Sequence, residues 1–180
     1  GLYDVAAEVG FATAMLKHAV DRKGTRPLTI GCFKLHQNRH FVDHGSVILQ
    51  AHPNFLPSVE AFHQFNEERL ALESALGLPC WVTEWQRIRK GTLGWEGKYP
   101  DGDEWQPWHA SLAPLYHQAR LGNFFWSLML RPSYLKIHES LRWLNGVFHE
   151  DGAVYSLEDA RAIAADPRLQ LAERRDWPAW

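Results

Sequence analysis

The chain has 180 residues, 46% hydrophobic and 22% charged, a balance that suits one ordinary globular domain or part of a larger one. A formal net charge of -2 supplies no basic field for nucleic acid or an anionic membrane surface. No apolar run approaches the roughly 20 residues that a spanning helix needs.

Residues 3–20 have helix-friendly composition, with Val5, Val9, Ala12 and Leu16 on one face. Gly24 and Pro27 break that segment, and LTIGCF, residues 28–33, is predicted to be a short strand. A polar, His-rich connection follows. His36, His40 and His44, with Asp43, have the spacing of metal donors on one α-helix face. Asn38, Arg39 and Gly45 interrupt the series and no second cluster of ligands accompanies it, so a solvated short helix is the plainer reading and no metal is assigned.

SVILQAH, residues 46–52, is the second predicted strand, and Pro57 and Ser58 open a helix that runs to about Leu76. Gly77 and Pro79 stop it. CWVTEW, residues 80–85, is the third strand, followed by a loop over 86–105 rich in Gly, Trp and acids. A helix from about Pro107 to Arg120 leads to the fourth strand, NFFWSLML, residues 123–130. The turn HEDGAVY then precedes a last helix near 156–165, with Ser156 at its start and Glu158 and Asp159 in its first turn. Cys32 and Cys80 each fall inside a predicted strand and read as buried thiols; nothing resembles a disulfide framework.

Alternation of helices and strands implies an α/β fold with parallel strands and helical crossovers. The strands are near-continuous apolar runs, as expected when both faces are covered. An open doubly wound sheet would show a Gly-rich phosphate turn after an early strand, and none of the four carries one. A (β/α)8 barrel is therefore favoured, with the strand tips Cys32-Phe33, His52-Pro53-Asn54, Glu84-Trp85 and Trp126-Ser127 converging at the face where barrel active sites lie. A carboxylate, an imidazole and two indoles gathered there make a sugar site: Glu84 the nucleophile, His52 a hydrogen-bonding partner, Trp85 and Trp126 stacking surfaces. Nine tryptophans in so short a chain fit that reading, and Trp95, Trp105 and Trp108 can line an extended cleft. Asp103 and Glu104 in the same loop read as solvated.

These segments resemble the retaining (β/α)8 glycoside hydrolases of the cellulase and mannanase type, including relatives of the β-galactosidase and β-mannosidase catalytic domain. SVILQAHPN looks like the sixth strand of that family, GLPCWVTEW like the seventh with its Thr-Glu-aromatic nucleophile signature, and LGNFFWSLM like the eighth with a glycone-pocket Trp. GVFHEDGAVYSLEDARAI resembles the closing segment, and TRPLTIGCF then falls on the fifth strand. The resemblance implies that residues 1–180 form the C-terminal half of one catalytic domain. It implies Glu84 as nucleophile, with His52, Asn54, Trp85 and Trp126 binding a carbohydrate and no cofactor. Asn54 stands where the family commonly has a Tyr, Ser127 where Gly is frequent, and Phe125 where Asn is frequent. A sugar-binding barrel without catalysis therefore stays open, as does a metal-dependent barrel hydrolase using the His36 to His44 series. Only Glu84 among the acids sits at a strand tip, so the resemblance places the acid/base Glu after an Asn upstream of Gly1, on the missing N-terminal half. The 180-residue piece alone is expected to be inactive.

Overall fold

The expected alternation of helices and strands is present in the computed structural model, which describes residues 4–22, 24–32, 34–53, 56, 58–86, 110, 112–126, 128–129 and 146–174. Helix α1 spans Ala6–Val20, and two 3-10 turns follow at Leu35–His40 and Val42–His44. Then come strand β1 (Leu49–Ala51), helix α2 (Val59–Leu76), strand β2 (Cys80–Trp85), helix α3 (Ala113–Gln118), strand β3 (Gly122–Phe125) and helix α4 (Leu157–Ala164). The strands lie in the order β1-β2-β3. Strands β1 and β2 run parallel, with Leu49 opposite Cys80, Gln50 opposite Trp81 and Ala51 opposite Val82. The chain is α/β, and α2 is the helical connection that a parallel pair requires. Among the described residues no helix is long and apolar enough to cross a membrane.

The chain groups into two compact units, each built from separate segments. The first comprises Gly1–Pro53, His63–Glu84 and Leu121–Phe124; the second comprises Asn54–Phe62, Trp85–Arg120 and Phe125–Trp180.

In the first unit, Leu49, Ala51 and Cys80 pack against Leu72, joined by Phe65 and Leu76 from the same helix. These strand residues share the sheet face that α2 covers, because alternate side chains point to opposite faces. Gly77, at φ 67°, turns the chain out of the helix. Glu73 then links the end of α2 to β2: one carboxylate oxygen accepts the Cys80 N–H at 2.7 Å and the other meets Arg69 at 2.8 Å. A second cluster joins Ala12 and Leu16 of α1 to Cys32 and Phe41. Both cysteines are free and buried, and burial pushes each thiol up to about 12.

The sheet face away from α2 is of different character. Gln50 and Thr83 lie on it. Trp81 shares it with Gly122, where a Cβ would sit 3.4 Å from the indole. Trp81 is 43% exposed and Phe124, which alternation places beside Gly122 on this face, is 58% exposed.

In the second unit, Ser58 caps the first turn of α2 by accepting the Ala61 N–H at 3.1 Å. Ser156 does the same for α4 through the Asp159 N–H at 3.1 Å. The Asp159 carboxylate in turn accepts the Ala110 N–H at 2.7 Å. Val147, Val154 and Ala160 form an apolar cluster, with Phe125, Leu157 and Ile163 packed on it.

One expected element is absent. Residues 28–32 are not a strand, and Phe33 lies outside the described residues. The segment does run beside β1, with the Val47 N–H donating to the Leu28 carbonyl at 3.0 Å. A ladder cannot continue because its places are taken by side chains. The Ile48 carbonyl accepts the Thr29 hydroxyl at 2.7 Å, where a strand partner would offer an N–H. The Gln50 N–H donates to Asn38 Oδ1 at 2.8 Å, and the Gln50 carbonyl accepts Asn38 Nδ2 at 2.8 Å. The Asn38 carboxamide thus stands in for one residue of a neighbouring strand. The second and fourth expected strands are shorter than predicted: regular pairing is confined to Leu49–Ala51 and Gly122–Phe125, with Met129 in an isolated bridge to Phe148.

Two outcomes follow from this packing. Replacing Asn38 by Ala leaves both polar groups of the Gln50 peptide without their partner and is expected to lower stability by roughly 2–6 kcal/mol, at about 1–3 kcal/mol per stranded group. A urea-unfolding loss below about 1 kcal/mol would contradict that role. Neither Cys32 nor Cys80 should react with iodoacetamide in mildly alkaline buffer while the chain is folded, and both should react in denaturant; rapid labelling of the folded chain would show that the thiols are not enclosed.

Candidate active site

Parallel pairing in register brings the residues that follow β1 alongside the tip of β2. His52 lies one residue beyond β1, and Glu84 is the penultimate residue of β2. His52 Nδ1 is 3.9 Å from Glu84 Oε2, and the two side chains are 12% and 35% exposed. That separation is longer than a formed hydrogen bond, so the contact is electrostatic in this state. The imidazole is enclosed while the carboxylate keeps an open side.

Behind this pair lies a polar cluster on the face away from α2. Gln50 Nε2 is 2.9 Å from His52 Nε2 and also donates to the Thr83 hydroxyl. Gln50 is buried, and the Asn38 bonds hold its peptide from the open edge of β1. Asn38 is itself anchored by donating to the Leu35 carbonyl at 2.9 Å. All these groups belong to the first unit. A carboxylate held at a strand tip by a neighbouring imidazole can act as a nucleophile toward an electrophilic carbon or as a proton acceptor.

Of the residues predicted for the site, the structure brings His52 and Glu84 together. Asn54 and Ser127 lie outside the described residues, as do Trp95, Trp105, Trp108, Asp103 and Glu104. Trp126 belongs to the second unit; it follows β3 directly, is half-buried, and donates its N–H to the Trp85 carbonyl at 3.0 Å.

Trp85 requires a correction. Its indole is 1% exposed and offers no free face to a sugar. It stacks on Tyr116 with ring centroids 4.5 Å apart and meets Phe125 edge-on at 5.1 Å. Tyr116 also takes Phe62 edge-on at 4.8 Å, and burial pushes the Tyr116 phenol well above its ordinary range. A ring filling the centre of an aromatic core satisfies the same sequence pattern as a stacking platform, and here it is the core.

The His36 to His44 series winds as 3-10 turns, in which i and i+3 eclipse and the i, i+4 spacing no longer shares a face. Among the described residues no three His, Cys, Asp or Glu side chains gather as a metal site. Gln50 and Asn38 were not singled out as site residues from the sequence, and Thr83 entered only as part of the Thr-Glu-aromatic signature. One signal was present for Gln50: a polar residue inside the apolar run SVILQAH, two positions before His52 and hence on the same face.

No protein-family model and no curated protein matches the chain. Among solved structures it is similar to the catalytic domain of a mannanase from Streptomyces sp. SirexAA-E, at 16% identity and a TM-score of 0.46 over 87% of this chain and 48% of that one. The chain thus spans about half the length of that structure. So slight a likeness carries neither fold nor function over to this chain, which stand on its own geometry.

If Trp85 is a core residue, Trp85→Ala should cost about 3–5 kcal/mol of stability, as other buried aromatic truncations do. An unfolding midpoint equal to that of the parent chain would return the indole to the list of candidate binding residues.

Proposed function

We propose that the chain carries the nucleophile of a retaining glycoside hydrolase acting on a β-linked sugar or polysaccharide. The observation that carries this reading is the half-open Glu84 carboxylate at the tip of a strand parallel to β1, with the His52 imidazole 3.9 Å away and a buried polar cluster behind it. In double displacement one Glu84 oxygen attacks the anomeric carbon. The bond to the leaving oxygen breaks as a second carboxylic acid gives that oxygen a proton. Water then attacks the glycosyl-enzyme, the second carboxylate takes its proton, and Glu84 is released. His52 orients the carboxylate, and Trp126 is proposed as a sugar platform. No cofactor takes part in these steps.

The two carboxyl groups of such an enzyme stand about 5–5.5 Å apart. The proposed partner acid lies on the N-terminal half of a (β/α)8 barrel, of which residues 1–180 supply the C-terminal part. The sheet face carrying Thr83, Trp81 and Phe124 supports that arrangement, because large apolar side chains left 43% and 58% exposed are what an inward barrel layer would bury.

Glu84→Gln in the full-length protein should lower turnover of an activated aryl β-glycoside by several orders of magnitude, with an unchanged circular dichroism spectrum. Hydrolysis near the parent rate would remove Glu84 from the mechanism. A parent protein that binds the sugar but never turns it over would leave a carbohydrate-binding barrel instead.

A further inference from the structure

The amide nitrogen of Gln50 addresses the imidazole beside the candidate nucleophile. A neutral imidazole has one donor nitrogen and one acceptor nitrogen, and the bond made by one decides the other. An amide nitrogen only donates. Placed 2.9 Å from His52 Nε2, it requires that nitrogen to accept, which leaves the ring proton on Nδ1. Nδ1 is the atom that faces Glu84 Oε2 at 3.9 Å.

We propose that Gln50 is a positioning residue that fixes the tautomer of His52, so that an N–H rather than a lone pair is turned toward Glu84. Both ends of the ring favour the same arrangement. With the opposite tautomer, the Nδ1 lone pair would confront the carboxylate, and the Nε2–H would confront an N–H of the amide. The amide is also poorly free to swing away. Its nitrogen donates to the Thr83 hydroxyl on the adjacent strand, and its peptide is clamped on both polar groups by Asn38. The resulting chain runs from Asn38 through Gln50 and His52 to Glu84 and lies wholly within one compact unit.

The consequence for turnover rests on Glu84 being the nucleophile. A neutral N–H directed at one carboxylate oxygen orients the group without quenching its charge and leaves the other oxygen for the anomeric carbon. Contacts of this kind are often long before substrate binds and tighten in the Michaelis complex.

The tautomer can be read without any activity measurement. Long-range proton–nitrogen correlation spectra of the 15N-histidine-labelled protein, on the alkaline side of the ring's titration, report which nitrogen carries the proton. His52 is assigned by its disappearance in His52→Gln. The parent protein should show a protonated Nδ1 and an unprotonated Nε2. Gln50→Glu places an acceptor where the donor was, and should invert the two populations by about tenfold or more, as a charge-assisted hydrogen bond enforces. A parent spectrum with the proton on Nε2, or a Gln50→Glu spectrum identical to it, overturns the assignment. The parent spectrum decides even if the variant fails to fold. A protein that hydrolyses no glycoside would defeat the nucleophile reading and leave this result standing.

Discussion

The structure of the first unit depends on one side chain closing one peptide. Strand β1 has three residues, and the Leu49 N–H reaches the Pro79 carbonyl at 2.8 Å on the side of β2. Alternation turns the N–H and carbonyl of Gln50 the other way, toward an edge that no strand covers among the described residues. Asn38 supplies both missing partners from the 3-10 turn at Leu35–His40. A carboxamide has the same donor and acceptor pair as a peptide, so it can end a sheet without leaving the buried backbone unsatisfied. Without it, two polar groups of a buried residue would lose their partners.

That closure sets where the chemistry can sit. The face of the sheet toward α2 is apolar and packed by Leu72, Leu76 and Phe65. The opposite face carries Gln50 and Thr83, joined by a hydrogen bond across the two strands. A polar pair inside a low-dielectric sheet is stable only when its members satisfy one another. The bond from Gln50 to His52 extends the network one step past the end of β1, to the imidazole beside Glu84. The Glu84 side chain is 35% exposed against 12% for His52, the opening that a group meeting a substrate requires.

The second unit is organised by aromatic packing. Trp85, Tyr116, Phe62 and Phe125 form a chain of stacked and edge-on rings. Adjacent residues of one strand therefore have opposite fates: Glu84 is a half-open carboxylate and Trp85 a core ring. The alternation of buried and exposed residues over Cys80–Val82 breaks at Thr83 and Glu84, both half-buried, before Trp85 is buried again.

Much of this was legible from local chemistry. CWVTEW matches β2 residue for residue, and the caps at Ser58, Gly77 and Ser156 lie where the pattern predicts. Glu84 at a strand tip and His52 just past another were also visible, because both depend only on where a strand ends. The tertiary structure alone decided the rest. LTIGC has every local property of a strand, but the positions where it would pair are occupied by Thr29 and Asn38 side chains. The WVTEW pattern suits a sugar platform and a core ring equally, and only Tyr116 and Phe125 settle which Trp85 is. Gln50 gained its place from partners 12 and 33 residues away in the chain. Periodicity and capping record what a residue does with its near neighbours. Which donor meets which acceptor across a sheet is fixed only when distant segments compete for the same peptide groups.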